Sequence, residues 1–315
     1  MTRNRANETK SPVGRSKQNR GLSPGLYLVA TPIGNMRDIT LRALDVLGDA
    51  DAIACEDTRV TATLLKAYGI ATPTIPYHDH NAERARPQIL ARLAAGEVVA
   101  LVSDAGTPLV SDPGLKLVRA AVEAELAVVP IPGASATLAG LTVAGLATDR
   151  FLFAGFLPAK TAARRRALEE LAAVPGTLIF YEAAKRLPAS LADMAAVLGA
   201  RDAVVARELT KLYEDVVRGE LGELAERYAA SGPPKGEVVV IIGPPQAPEI
   251  APELIDRRLT AALMRMSVKD AAAEVAEELG QPRRRLYERA LQLLGRRDGP
   301  SDSDDGERGP GRETP

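Results

Sequence analysis

The feature that most constrains this chain is an alternation: short apolar runs at 26–30, 52–55, 98–102 and 127–131 are separated by longer stretches of helical period. Strand-length runs without polar interruption, each followed by a helix, are the signature of βαβ units and a largely parallel sheet. The helical stretches fall near 39–47, 58–68, 82–95, 115–124 and 134–146, with Asp38 and Thr58 as candidate N-caps and Gly69 as a stop. An N-terminal α/β domain over 23–147 is expected.

After Asp149 the apolar runs crowd together, at 151–156, 177–181, 203–206, 214–218 and 237–242, with helices near 161–173, 187–198 and 220–230. No helix separates 203–206 from 214–218, so this second α/β domain, over 148–243, requires a mixed sheet. A proline-rich linker at 244–252 leads to a small helical segment at 253–294. Residues 1–22 are basic and almost devoid of apolar side chains, and 295–315 mix charges with Gly and Pro, so both read as disordered tails.

Composition removes several functions. The 40 Lys and Arg balance 41 Asp and Glu over 315 residues, so a globally basic nucleic-acid coat is excluded and any polyanion site is a local patch. Aromatics make up 3% with no Trp, which argues against a multi-base stacking platform. One cysteine, Cys55, and two histidines leave no basis for a disulfide framework or a metal centre, and no apolar run reaches the ~18 residues of a membrane helix. A cytoplasmic protein is expected.

Ligands of an α/β sheet bind at the carboxyl ends of its strands, and four loops there are unusual. Thr31-Pro-Ile-Gly-Asn35 is either a plain tight turn or a place where backbone approaches a ligand. Glu56-Asp-Thr-Arg59 gathers two acids and a guanidinium, which a helix N-terminus also favours. Ser103-Asp-Ala-Gly-Thr-Pro-Leu-Val-Ser-Asp-Pro-Gly114 is too specialised for a connector, and Gly133-Ala-Ser135 opens a helix with small residues. Together they describe a cleft. Dinucleotide, P-loop and nucleophile-elbow patterns are absent, and Cys55 reads as a buried, inert thiol. His78-Asp-His80-Asn81 is a polar loop or a substrate contact, while Tyr181-Glu182 and Arg207-Glu-Leu-Thr-Lys211 end two further strands.

As an ordered set, Leu26 to Thr40, Glu56-Asp-Thr-Arg59, His78-Asp-His-Asn81, Leu101 to Gly114, Asp149 to Pro158, Leu178-Ile-Phe-Tyr-Glu182 and Ala206 to Lys211 resemble the family of ribosomal RNA small subunit methyltransferase I, within the tetrapyrrole methylase superfamily. The resemblance spans roughly 25–294, and its end is similar to that family's helix-turn-helix-like tail. It implies a two-domain tetrapyrrole-methylase-like α/β fold with S-adenosylmethionine in the interdomain cleft, a homodimer, and 2′-O-methylation of a cytidine in the decoding region of 16S rRNA in the small subunit. By motif position it implies cofactor contacts at Pro32, Asp104, Ala105, Gly106, Thr107, Ser135, Ala136, Tyr181 and Arg207. Pro132-Gly-Ala-Ser135 departs from the family's Pro-Gly-Pro but keeps the small profile.

Transfer to a hydroxyl needs alignment and a group that takes the proton. Glu56, Asp57, His80, Glu208 and Lys211 are the candidates, with Asp57 and His80 favoured; Arg59, Asn81, Arg164, Arg165, Arg283 and Arg284 are candidate RNA contacts. Methylation of a tetrapyrrole carbon and a non-catalytic nucleic-acid adaptor are the competing readings.

Overall fold

The computed structural model describes residues 21–245 and 251–297. The tails expected at 1–22 and 295–315 lie almost wholly outside these residues. Where they are described they depart from expectation: Leu22 packs against the first core, and the last helix runs on to Arg297. The linker's 246–250 also lies outside.

Five strands, β1 (Gly25–Val29), β2 (Ala52–Cys55), β3 (Thr74–Pro76), β4 (Val98–Val102) and β5 (Val128–Ile131), form one parallel sheet in the order β3-β2-β4-β1-β5. Strand β3, three residues at the edge, had not been expected, because Thr-Ile-Pro is too short and too proline-bound to show a period. Alternate side chains serve opposite faces. Val29, Ile53, Cys55 and Val102 pack with Leu47 of α1 (Leu41–Asp49) and Leu64 of α2 (Thr58–Ala67). Leu26, Ala54, Val99 and Leu101 pack with Ile89 of α3 (Ala82–Ala94) and Leu117 of α4 (Leu115–Glu123).

Two expected caps shift by one or two residues. Thr40, not Asp38, caps α1 by accepting the Ala43 N–H, since Asp38 belongs to a preceding 3-10 turn. Asp57, not Thr58, caps α2, because its carboxylate reaches the Arg59 N–H at 2.8 Å.

The second sheet runs β6 (Phe151–Phe156), β7 (Thr177–Ala183), β10 (Glu237–Ile242), β8 (Asp202–Arg207), β9 (Asp215–Glu220). Only β6 and β7 are parallel, so it is mixed as expected. Helices α6 (Thr161–Leu171), α7 (Leu187–Leu198) and α8 (Leu221–Ser231) cover one face around Phe180, Val240, Leu191 and Leu224. The other face is covered by the first half of the chain: Ile33, with Leu141 and Ala144 of α5 (Ala136–Ala144), packs on Ile179, Val204, Val239 and Ile241.

Separate buried clusters stand on either side of the boundary expected near 147, and the cluster of Ile33, Leu141 and Ala144 with the second sheet spans it. Helix α5, Ala-Thr-Leu-Ala-Gly-Leu-Thr-Val-Ala, is apolar in composition nearly all round, yet it buries the face of Thr137, Gly140, Leu141 and Ala144 on the second sheet and leaves Leu138 exposed. One compact unit runs to Pro245, and a second follows. In the second, α9 (Pro252–Leu263), α10 (Val268–Leu279) and α11 (Arg283–Arg297) enclose a core of their own around Leu259, Val275, Leu286 and Ala290.

Candidate functional site

Sheet order locates the site. From β1 the chain crosses to one side of the first sheet and from β4 to the other, so the crevice opens where these adjacent strands end. The loops leaving them are stitched together. Thr31 N–H donates to the Gly106 carbonyl at 2.9 Å, Gly106 N–H returns a bond to the Thr31 carbonyl at 3.0 Å, and Thr31 Oγ1 donates to the Ser103 carbonyl at 3.1 Å. Gly106 has φ +82°, and a Cβ there would stand 3.3 Å from Ile33 Cγ2. Only glycine adopts this bridge without strain.

Above the bridge lies a cavity of about 340 Å³ walled by both halves of the unit. Asp104, Ala105, Gly106, Thr107, Ser135, Ala136 and Tyr181 line it, so seven of the nine residues implied as cofactor contacts share one space. Thr107 Oγ1 ties the turn to the Ala134 carbonyl at 3.1 Å, and Ser135 caps α5. The Tyr181 hydroxyl is 2.8 Å from Thr137 Oγ1, and its ring is wedged edge-on by Phe153 and Phe156. Pro32 lies instead in an adjoining recess of about 230 Å³, which shares Ile33, Asp104, Ala105 and Glu237 with the cavity. Arg207 lines neither. Its guanidinium turns to the Lys235 carbonyl and Asp215, and its neighbour Ala206 provides the wall.

The candidate proton acceptors are not gathered in the cavity. Asp57 holds Arg59 in a bidentate pair, 3.0 and 2.6 Å, and these hydrogen bonds lower its pKa to about 2. A carboxylate so held has little affinity for a proton. His80 is exposed beside His78, with ring centroids 6.0 Å apart. Lys211 faces the recess but bridges Glu208 at 2.8 Å and Glu237 at 2.9 Å, and Glu208 is held below its ordinary pKa by Lys211. Burial raises the pKa of Glu56, and Asp104 and Asp79 add to the shift.

Among the candidate RNA contacts, Arg164 is a correction. It is 3% exposed and locked to Asp193 at 2.5 Å, which also takes Arg165 at 2.7 Å. A triple-arginine run on a helix suggests a solvated face, but helix period turns its first member inward. Asn81 spends its amide on the loop, accepting the His78 N–H and donating to the Pro76 carbonyl, both at 2.9 Å. Arg59 is exposed, as are Arg283 and Arg284 at the start of α11.

Sequence reading missed Ile33, Asp112, Phe156, Leu209 and the Gly236–Val239 stretch, all cavity walls. For Asp112 a signal existed, since it stands in the long loop already singled out. Burial, then the charge of Glu56, raises its pKa to about 6, against a hydrogen bond from Ser103.

The chain matches the family model for tetrapyrrole (corrin/porphyrin) methylases over residues 25–225 and that for the RsmI C-terminal HTH domain over 248–294. Solved structures carry the same fold. Cobalt precorrin-4 methyltransferase aligns with TM-score 0.51 at 18% identity, covering 69% of this chain and 94% of that one. The Thermus thermophilus uroporphyrin-III C-methyl transferase complexed with S-adenyl homocysteine aligns with TM-score 0.51 at 23%, covering 70% and 97%. Fold and cleft thus define a protein of the tetrapyrrole methylase class. Among curated relatives, the ribosomal RNA small subunit methyltransferase I of Mesorhizobium japonicum is 54% identical over 275 residues, 87% of this chain and 94% of that protein. Its counterpart in Pseudomonas aeruginosa is 48% identical over 277 residues, covering 86% and 98%. The chain belongs to the ribosomal RNA small subunit methyltransferase I family.

Proposed function

We propose that this protein transfers a methyl group from S-adenosylmethionine to the ribose 2′-oxygen of a cytidine in the decoding region of 16S rRNA, acting on the small subunit as a homodimer. The observation that carries the reading is the cavity built on the Thr31–Gly106 bridge. Its residues fit the cofactor. Small side chains at Ala105, Gly106, Ala136, Ala183 and Ala206 leave room for an elongated molecule, and Ile33, Leu209 and Val239 offer apolar walls to an adenine. Asp104 sets a carboxylate where a ligand carrying a sulfonium and an ammonium needs negative charge.

S-adenosylmethionine, when bound, supplies a methyl group made electrophilic by its sulfonium. The protein's part is positional: the bridged loops and capped α5 hold the walls. The RNA part of the reading is supported by the names of the relatives and by the exposed arginines of α11.

Transfer of labelled methyl to unmethylated small ribosomal subunits, naked 16S rRNA and a corrinoid precursor tests it. A 2′-O-methyl leaves the adjacent phosphodiester resistant to alkali. A single alkali-resistant cytidine linkage in the decoding region of the subunit RNA is expected. Label on the corrinoid or on a base would overturn the reading, and a monomer in sedimentation would remove the dimer from it.

A further inference from the structure

Four carboxylates face the cavity, and three are already engaged. Glu182 is enclosed and holds Arg186 at 2.8 Å, the Ser190 hydroxyl and the Ala183 N–H. Glu237 pairs with Lys211 and points mostly to solvent. Asp104 accepts the Asp57 N–H at 3.0 Å, tying two loops together. Asp112 has no ion pair among the described residues. Its loop is held in an unusual path: Leu109 at φ +70° and Ser111 at φ +66° are left-handed without being glycine, and Pro113 restricts Asp112 itself. Such strain persists only where surrounding structure imposes it, and it clusters at functional sites.

We propose that Asp112 is the catalytic residue that takes the proton from the acceptor hydroxyl, an assignment resting on the methyl-transfer reading above. Its carboxylate accepts the hydroxyl proton as the oxygen–methyl bond forms and the methyl–sulfur bond breaks. The bonding pair stays on sulfur, leaving a neutral thioether, and Asp112 then releases its proton to solvent.

The groups facing Asp112 are Glu56 at the end of β2, Ser103 and Asp104 after β4, and Tyr181 on β7, with Glu182 and Glu237 on the same walls. Burial and the negative charge of Glu56 leave its carboxylate more basic than an ordinary aspartate and still mostly ionised near pH 7, as a general base requires.

Single-turnover methyl transfer to RNA against pH, with cofactor binding by calorimetry and thermal melts alongside, tests the assignment. Wild-type rate should fall about tenfold per pH unit below an apparent pKa near 6. Asp112→Asn should lose about 10²–10⁴-fold in rate with cofactor affinity kept within about twofold, and Asp112→Glu should restore part of the rate. Glu56→Gln should move the acid limb to lower pH. A folded Asp112→Asn enzyme with wild-type rate and the same limb overturns the proposal. So does loss of cofactor binding in that variant, which would make Asp112 a cofactor ligand instead. Wild-type protein that methylates no RNA overturns the reading beneath it, an outcome visible before any variant is made.

Discussion

Arg164 and Arg165 sit side by side in the chain, yet burial gives them different work. Arg164 and Asp193 are enclosed, so Arg164→Ala takes away the buried partner of Asp193, leaves only the half-exposed Arg165, and should cost about 3 kcal/mol in chemical denaturation. Arg165 is half exposed, and its truncation should cost under about 1 kcal/mol. Arg164→Ala should leave the salt dependence of RNA binding unchanged, because solvent does not reach that side chain. Asp57 carries a pH signature. Its folded pKa, lowered to about 2, lies below the unfolded value near 3.9, so its contribution is present above pH ~4 and fades as pH falls through about 2. The difference in melting temperature between wild type and Asp57→Asn should accordingly be constant at pH 5–7 and close by pH 2. At this scale the sequence exposed residue types but not partners: Asp57 was legible as a charged loop residue, its bidentate hold on Arg59 was not.

Among the elements, α5 joins fold to site. Its first residue, Ala136, with Ser135 before it, lines the cavity, and its middle lies on the second sheet, where a Cβ on Gly140 would stand 3.1 Å from Val239 Cγ1. Gly140→Leu should therefore lift the helix, destabilise the protein by about 1–3 kcal/mol and weaken cofactor binding, with melts and calorimetry as the measurements. The helix itself was legible near 134–146 from its composition. Which sheet it covers was not, because an all-round apolar helix carries no stripe that names a partner. Central strands β2, β4 and β10 fall where the apolar runs stand, since a buried strand has to be written in apolar residues. Edge strand β3 lacks that requirement and left no trace.

For the whole molecule, the two compact units make separable predictions. Unit two has its own core, and its α11 opens with exposed Arg283 and Arg284. If these contact phosphates, replacing both by Ala should reduce the slope of log affinity against log salt by about 1.5, with cofactor affinity unchanged. A chain ending at Pro245 should likewise keep its cofactor affinity, since every cavity wall lies before that residue.

The sequence by itself determined the strand–helix alternation, the mixed second sheet and the four loops at strand ends, because apolar period and turn chemistry are local. The family resemblance, not local period, put the Asp104–Thr107 turn, Ser135, Ala136 and Tyr181 into one set. Only the tertiary structure decided that α5 lies on the second sheet, that Arg164 is buried, and that Asp112 stands in the cavity without an ion pair among the described residues. Those are relations between residues far apart in the chain. Packing and charge, summed over the whole unit, set them.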